Sequence, residues 1–357
     1  MSFPGFSDQP GAAERYKYVK ALGHGAFGEV VLAEDVQTNQ QVAVKQLYLP
    51  EPGAPMPQAV ARELAALQQV QHPNVIALLD VAVSGCCVYL CQELCCTDLA
   101  AVLAAADQQL PPQFVCSIMQ QLLAALAACH AAGIMHRDVK PSNILVDKSG
   151  SIKLADFGLA KLFAAAGPSQ EGAGQQDTSP QCAPTQQHGS IIAHHSVWQQ
   201  QQQHHHHQQQ QHEQGDGPDS PGCHTPAQGT RWYRAPELLF GSRTYGPAVD
   251  LWAAGMVFAE LLGLTPFLPG QSDIDQLARM QHVLGSITPQ AWPAVEQLPD
   301  WHKVSFAHSP GQQLSVLLPD APPIALNLLQ QLIRYNPDDR LTAAAALQHA
   351  YFACGSS

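Results

Sequence analysis

Short alternating runs of apolar and polar residues organise the first quarter of the chain. The runs Val30–Ala33 and Gln41–Leu47 predict two strands joined by a turn over residues 35–40. A further strand is predicted over Val88–Leu94, and Val60–Val70 has the apolar spacing of an amphipathic helix. The pattern therefore predicts a small, mainly antiparallel β lobe with one helix.

Helical periodicity dominates from Asp98 onward, which predicts a second, mainly helical lobe. Two short strands interrupt it at Ile144–Val146 and Ile152–Leu154. The helices are predicted at Phe114–Ala131, which Gly133 closes, and then at Val249–Leu262, Ile274–Leu284, Ile324–Arg334 and Thr342–Gln348.

A low-complexity segment, residues 164–221, lies inside the helical part and consists largely of Gln, His, Gly, Ser and Pro. Its composition cannot bury enough apolar surface to offset the entropy of ordering, so it predicts a disordered insertion. A neutral expansion and a tether that slows activation or recruits a partner both fit. We do not expect its four-histidine run to be a specific metal site. The resulting division is a tail over 1–15, a small lobe over 16–94, a large lobe over 95–352 with this insertion, and a tail over 353–357.

Composition excludes several classes of function. The formal net charge of −12 argues against nucleic acid and against an anionic membrane surface as partners. The first ten residues lack the pattern of a signal peptide, and the most apolar stretch, Leu122–Met135, is too short for a bilayer span. Ten cysteines without a CxxC spacing predict reduced thiols in the cytoplasm, the nucleus or both.

Gly23, Gly25 and Gly28 form a GxGxxG pattern. Alone, this pattern fits a dinucleotide-binding turn, an ordinary glycine-rich hairpin or a loop over ATP phosphates. A dinucleotide turn requires a helix directly after the glycines, whereas Val30–Ala33 predicts a strand. Strand, glycine loop and strand is the arrangement in which backbone N–H groups cover ATP phosphates.

Lys45 ends the apolar run Val42–Lys45 on the following strand. A lysine in such a strand is costly unless it is paired, and nucleotide phosphates together with a helix carboxylate are suitable partners. Glu63, on the predicted helix of the small lobe, is the candidate carboxylate; the alternative is a solvated helix residue.

The segment 136–143, His-Arg-Asp-Val-Lys-Pro-Ser-Asn, carries the candidate catalytic chemistry. Asp138 is predicted to accept or orient the proton of an attacking hydroxyl, Lys140 to lie against the γ-phosphate, and Asn143 to hold Mg²⁺. Asp156, which opens Asp-Phe-Gly after the second short strand, is the other candidate Mg²⁺ ligand. Together with an Ala-Pro-Glu string at 235–237, these motifs stand in an order that chance does not produce.

On these motifs the sequence resembles eukaryotic protein kinases over Tyr16–Phe352, which implies the bilobal α+β kinase fold and a serine/threonine protein kinase using ATP and Mg²⁺. The segment Thr230–Glu237 resembles the cyclin-dependent and MAP kinase group. The stretch Trp292–Phe306 is most similar to cell-cycle-related kinases, relatives of cyclin-dependent kinases associated with the cell cycle and with the cilium or flagellum.

The resemblance implies further site residues. The backbones of Glu93 and Cys95 would bind adenine, with Gln92 behind them as gatekeeper, and Asp98 would reach the ribose. The implied ATP-binding set is Leu22, Gly23, Gly25, Gly28, Val30, Lys45, Glu63, Glu93, Cys95 and Asp98.

The resemblance also implies control by phosphorylation at Thr225, with Arg62, Arg137 and Lys161 as cations for the phosphate. Gly229 stands where this group shapes a pocket for proline after the target residue. A structural ion pair between Arg340 and Glu237 and a bracing role for Asp250 are implied as well.

Residues 57–63 lack the typical cyclin-reading sequence, so dependence on a cyclin or another activating subunit stays open. Partners are expected to include protein substrates and an upstream kinase acting on Thr225, without nucleic acid or membrane insertion. A cilium or flagellum is a further expected location. The alternative function is a nucleotide-binding pseudokinase scaffold, against which Lys45, Asp138, Asn143 and Asp156 all argue.

Overall fold

The computed structural model describes residues 15–25, 28–49, 55–84, 86–163 and 231–353. The predicted insertion at 164–221, the predicted phosphosite Thr225 and the predicted specificity residue Gly229 lie outside the described residues, as do most residues of the two tails.

The small lobe is a five-stranded antiparallel sheet with one helix, as predicted. The strand order is β1-β2-β3-β5-β4, and the register places Lys45 on β3 opposite Val30 on β2 and Leu90 on β5. The elements are β1 Tyr16–Gly25, β2 Gly28–Asp35, β3 Gln40–Tyr48, α1 Gln58–Gln69, β4 Leu78–Ser84 and β5 Cys87–Glu93.

The spacing of buried residues along helix α1 places the carboxylate of Glu63 on the side of the helix that faces this sheet. Its buried residues are Val60, Glu63, Ala66 and Leu67, whose spacing of three and four residues places them on one face. Glu63 therefore lies on the face that packs inward, although its chemistry would otherwise place it in solvent.

The large lobe begins with short strands around the candidate catalytic segment. One small sheet has the order β6-β8-β9, and the other pairs β10 with β7. Three 3₁₀ turns, Pro141–Asn143, Phe157–Leu159 and Arg231–Tyr233, lie in or beside the predicted catalytic motifs. The strands are β6 Thr97–Asp98, β7 Ile134–Met135, β8 Ile144–Val146, β9 Ile152–Leu154 and β10 Lys161–Leu162.

Helices form the rest of the large lobe, around the almost wholly buried α5, in which every residue from Val249 to Leu261 is buried. The 3₁₀ turns Pro293–Gln297, Trp301–Lys303 and Pro337–Asp339 connect later helices. The helices are α2 Leu99–Ala104, α3 Pro112–Ala131, α4 Pro236–Leu239, α5 Ala248–Gly263, α6 Asp273–Leu284, α7 Leu314–Leu317, α8 Pro323–Leu332, α9 Ala343–Ala346 and α10 Ala350–Ala353.

The four longer predicted large-lobe helices are confirmed with shifts of one or two residues at their ends. The helix predicted over 342–348 is shorter, because only Ala343–Ala346 is α-helical. The apolar stretch 122–135 is not one helix: α3 ends at Ala131 and β7 follows at Ile134. By length and composition alone, α3 could cross a membrane, but eight of its residues are buried and belong to the large-lobe core.

Candidate active site

Three charged side chains, from β3, from α1 and from the residues after β9, meet between the two lobes. The Nζ of Lys45, on β3, lies 2.8 Å from both carboxylate oxygens of Glu63, on α1. The same Nζ lies 2.9 Å from Oδ1 of Asp156, which follows β9. The predicted pairing of Lys45 with Glu63 is therefore confirmed, and Asp156 joins it.

The charges of this triad favour an ionised lysine. Burial alone would lower the pKa of Lys45, but the carboxylates of Glu63 and Asp156 outweigh it and raise that pKa. Burial opposes ionisation of Asp156 as well, yet Lys45 holds the pKa of that carboxyl below its usual value. The arrangement supplies a fixed positive charge with an acidic group beside it, which suits the binding of nucleotide phosphates.

Asp138, Lys140 and Asn143 form a second cluster, on the segment between β7 and β8. Oδ2 of Asp138 accepts hydrogen bonds from Nζ of Lys140 at 2.7 Å and from Nδ2 of Asn143 at 3.0 Å. The Nδ2 of Asn143 also donates to the backbone carbonyl of Asp138 at 2.9 Å. These bonds fix the Asp138 carboxylate, a group that can accept a proton from a hydroxyl.

Asp250, at the start of the buried helix α5, holds the backbone of this segment. Its Oδ1 accepts the N–H of Arg137 at 2.7 Å, and its Oδ2 accepts the N–H of His136 at 2.9 Å. The Nε2 of His130 lies 2.8 Å from the same Oδ2. Burial would raise the pKa of Asp250, but the hydrogen bonds and charge of these neighbours lower it, so Asp250 braces the segment as an anion.

Two residues of the site have left-handed backbone conformations, Arg137 with φ of 68° and Asp156 with φ of 62°. Such conformations cost free energy in residues other than glycine and persist only where the surroundings enforce them. The ring of Phe157, which is fully buried, packs edge-on against His136 with centroids 4.6 Å apart. This contact couples the Asp-Phe-Gly turn to the catalytic segment.

The glycine pattern lies on the hairpin between β1 and β2, as predicted, with Gly23 opposite Val30 and Gly25 opposite Gly28. Gly28 has φ of 157°, and a Cβ there would lie 1.7 Å from the carbonyl oxygen of Gln46. Only glycine fits at this position. Gly23 shows no such crowding. Leu22 is 46% exposed on β1, and Val30 is half-buried on β2.

The linker between the lobes contains the predicted adenine-binding residues. The side chain of Glu93 has structural partners, because Oε1 accepts the N–H of Ala77 at 2.8 Å and Oε2 lies 2.9 Å from Nζ of Lys153. Cys95 is half-buried, and burial raises the pKa of its thiol to about 12. The backbone N–H of Glu93 also donates, to the carbonyl of Ala77 at 3.2 Å, so the predicted adenine contact of Glu93 would use its carbonyl. The adenine contact of the Cys95 backbone stays a prediction.

Asp98 and Gln92 flank this linker. Oδ1 of Asp98 accepts the N–H of Ala101 at 2.8 Å and caps helix α2, so only part of the carboxylate is left for the predicted ribose contact. Gln92 is 9% exposed, and its Nε2 has no hydrogen-bond partner among the described residues. The predicted gatekeeper is therefore a buried amide with an unused donor.

The donors at Asn143 and Asp156 suit a magnesium ion. Because Nδ2 of Asn143 makes both of that side chain's hydrogen bonds, its Oδ1 is the atom left for a ligand. The Asp156 side chain is 44% exposed. Mg²⁺ takes oxygen ligands and is usually held by one or two carboxylates together with substrate phosphates. No group of three or more His, Cys, Asp or Glu side chains suited to a metal occurs within the described ranges.

The predicted structural pair of Arg340 and Glu237 is present and bidentate, with both N–O distances at 2.7 Å.

The three cations predicted to bind phosphate at Thr225 lie within the described residues, whereas Thr225 does not. Arg137 donates to the carbonyl of Leu159 and to the hydroxyl of Tyr245. Arg62 donates to Gln58 on α1, and Lys161 lies on β10.

The sequence did not single out His130, which shares Asp250 with the catalytic segment, or Tyr245, which contacts Arg137. It also missed the bond from the hydroxyl of Tyr233 to Glu260, 2.7 Å long, beside the same segment. For Glu260 and His130, the sequence signal was a polar residue within an otherwise apolar predicted helix.

Comparison with known proteins agrees with this geometry. The protein kinase domain model matches residues 16–197 and 207–352. The chain is 36% identical to mouse cyclin-dependent kinase 20 over 340 residues, 95% of this chain and 83% of that protein. Over 343 residues it is 36% identical to cyclin-dependent kinase 7 of Xenopus laevis, covering 95% and 82%. Cyclin-dependent kinase D-1 of rice (Oryza sativa subsp. indica) is also 36% identical, with 95% and 67% covered.

The bilobal fold, the clustered site residues and the sequence relatives all indicate the same family. The chain belongs to the protein kinase family and is a serine/threonine protein kinase of the cyclin-dependent kinase type.

Proposed function

We propose that this kinase transfers the γ-phosphoryl group of ATP to serine or threonine hydroxyls with Asp138 as the group that receives or orients the proton. The observation that carries this proposal is the pair of assembled clusters, Lys45 with Glu63 and Asp156, and Asp138 with Lys140 and Asn143. A scaffold without catalysis would have no need for both.

Each residue has a role that its contacts support. Lys45, fixed by Glu63, would bind the α- and β-phosphates, and the backbone of the β1–β2 hairpin would cover them. Asp138 would hold the acceptor hydroxyl. Lys140 would stabilise charge on the γ-phosphoryl oxygens, since its Nζ is already 2.7 Å from Asp138.

A divalent cation is implied by the family, and we propose Mg²⁺ held by Asn143 and Asp156. When bound, it would neutralise phosphate charge during transfer. Chelation with excess EDTA is expected to abolish transfer, and Mg²⁺ to restore it. Activity that survives chelation would contradict this assignment.

The decisive test is phosphotransfer by the purified full chain, compared with Asp138→Asn. The substitution is expected to lower kcat by about 100-fold or more while leaving the Kd for ATP nearly unchanged, because it removes a proton acceptor but no phosphate contact. Asp320→Asn, on an exposed aspartate of the large lobe, is the matched control. A wild-type chain phosphorylated at Thr225 that transfers no phosphate would favour the pseudokinase scaffold.

We also propose activation by phosphorylation of Thr225 and a preference for proline after the target residue. Both rest on the resemblance to the cyclin-dependent kinase group, and the position of Arg137 within the catalytic segment supports the first. Thr225→Ala is expected to block activation by an upstream kinase. A peptide array in which proline after the acceptor brings no advantage would contradict the second.

A role in the cell cycle or at a cilium or flagellum is proposed on the similarity to cell-cycle-related kinases. A location in the cytoplasm, the nucleus or both, with the cilium as a further site, follows from it, as does an activating subunit such as a cyclin. Phosphoproteomics after acute inhibition would identify the substrates. Deletion of residues 166–217 with unchanged activation and location would support a neutral insertion.

A further inference from the structure

Glu93, the last residue of β5, is held from both lobes. Its Oε1 accepts the N–H of Ala77 at 2.8 Å, and its backbone N–H donates to the carbonyl of Ala77 at 3.2 Å. Its Oε2 lies 2.9 Å from Nζ of Lys153, on β9 in the large lobe. The residue whose carbonyl is predicted to contact adenine is therefore fixed through its carboxylate and through its N–H.

Lys153 is a cation in a mostly buried position. Its side chain is 14% exposed, and it lies between Ile152 and Leu154, which are both fully buried. The register pairs Lys153 with Leu145 on β8, and Leu145 with Asp98 on β6. Directly opposed residues of neighbouring strands share one face of a sheet. A cation in such a place requires an anion, and Glu93 supplies it.

The two partners of the Glu93 carboxylate are connected to each other as well. The N–H of Leu154 donates to the carbonyl of Asn74 at 2.8 Å, and the N–H of Ile76 donates to the carbonyl of Leu154 at 2.9 Å. Ile76 directly precedes Ala77, and Leu154 directly follows Lys153. The contacts around Glu93 therefore form a closed ring through β9. Such supporting contacts determine the orientation of a binding group.

We propose that Lys153 is a positioning residue for adenine. By holding the carboxylate of Glu93, it orients the backbone carbonyl of Glu93 toward the exocyclic amine of the base, which is a hydrogen-bond donor. Lys153 itself touches neither the nucleotide nor the acceptor. This role differs from those of Lys45 and Lys140, because it acts on the base rather than on the phosphates. The inference rests on the proposed function, which brings ATP to this linker.

The test compares two ligands of the full chain by titration calorimetry. They are ATP and purine riboside triphosphate, which lacks the exocyclic amine. The wild type should bind ATP about fivefold more tightly, as one hydrogen bond gives. Lys153→Met removes the charge and should raise the Kd for ATP about threefold, with less than about a 1.5-fold change for the other ligand. The preference then falls below about twofold. In phosphotransfer, KM for ATP should rise with kcat nearly unchanged.

Three further variants complete the test. Lys148→Met, on an exposed lysine of the turn between β8 and β9, is the matched control and should keep the fivefold preference. Lys153→Arg keeps a cation and should keep a preference above about threefold. Glu93→Gln breaks the same ion pair from its other end and leaves an oxygen for Ala77. It should lower the preference as Lys153→Met does, and it serves as the test if Lys153→Met does not fold.

Three results would overturn the inference. The first is a wild-type preference that survives both Lys153→Met and Glu93→Gln. The second is an equal loss of affinity for both ligands, which would show that Lys153 only supports the fold. The third is a wild-type chain that binds both ligands alike, because the carbonyl of Glu93 would then make no bond to the amine. A chain that shows the expected preferences but transfers no phosphate would instead overturn the proposed function.

Discussion

Replacing Asp250 with asparagine tests whether the catalytic segment depends on one buried carboxylate. The two oxygens of Asp250 serve three donors, the N–H groups of Arg137 and His136 and the Nε2 of His130. Asparagine has nearly the same shape but offers one oxygen and an NH₂ group. In either orientation of the amide, at least one backbone N–H of the segment faces another donor.

The free energy follows from these contacts. A buried donor without a partner costs about 1–3 kcal/mol, and hydrogen bonds to a charged acceptor contribute about 1.5–3 kcal/mol each. The site is 1% exposed, so water cannot replace the lost acceptor. We expect Asp250→Asn to lower the free energy of unfolding by about 2–4 kcal/mol. Because Arg137 has a left-handed backbone, its release should also let Asp138 move.

Urea unfolding of the purified full chain measures the first effect, with a midpoint shift near 1 M if m is about 3 kcal/mol/M. Steady-state kinetics measure the second, as a fall in kcat that exceeds the change in KM for ATP. Asp320→Asn, which loses only an exposed carboxylate bonded by Gln109, should change unfolding by less than about 0.5 kcal/mol.

The pH dependence gives a further check. The pKa of Asp250 is lowered in the folded state, so its contribution is present above the unfolded value near 4 and is lost as pH falls through the folded value. The stability difference between wild type and Asp250→Asn should be present at neutral pH and narrow below about pH 4. A variant with wild-type unfolding and kcat would refute the reasoning.

Three further substitutions test other contacts. Arg340→Lys should destabilise the chain by about 3–5 kcal/mol in urea unfolding, because Arg340 uses all five of its donors and the single nitrogen of a lysine cannot replace the bonds made from three nitrogens; a loss below 1 kcal/mol would contradict this. Gly28→Ala should raise KM for ATP at least about tenfold, because its Cβ would clash with Gln46 and part the hairpin; an unchanged KM would show that the hairpin adapts. Gln92→Leu should raise the free energy of unfolding by about 1 kcal/mol by removing an unpartnered donor; destabilisation would indicate a partner for that amide.

Local pattern predicted the parts of the site whose signal lies within a few residues. The strand that carries Lys45 and the helix that carries Glu63 both follow from periodicity, and pairing followed because a buried lysine requires an anion. The β8 and β9 strands were predicted with their observed bounds. These predictions succeeded because secondary structure and burial agree there.

Contacts between distant residues could not be predicted in this way. Strand β4 was not predicted individually because Asp80 interrupts its apolar run. The carboxylate of Asp80 nevertheless accepts hydrogen bonds from Arg15, which precedes β1, and from the hydroxyl of Tyr16, on β1. The bond from His130 to Asp250 joins residues 120 positions apart. No local spacing encodes such a pair, since it depends on how two buried helices pack.

The two chain ends that border residues 164–230 are both fixed to the large lobe. On one side, the N–H of Phe163 donates to the carbonyl of Gly133 at 2.8 Å, directly after the pairing of β10 with β7. On the other side, Nε of Arg231 lies 2.7 Å from Oδ1 of Asp273 on α6. The fold therefore sets where this segment leaves and returns, whatever its length.

Length alone then costs little. Asp156 and Thr225 are 69 positions apart (225 − 156), against roughly 15 in related kinases, and a logarithmic closure entropy gives this difference a cost of only about 1.3 kcal/mol. That is a small part of the 5–15 kcal/mol that stabilises a typical domain. The insertion therefore needs no compensating function to persist, and any regulatory role has to be shown by deletion rather than inferred from its length.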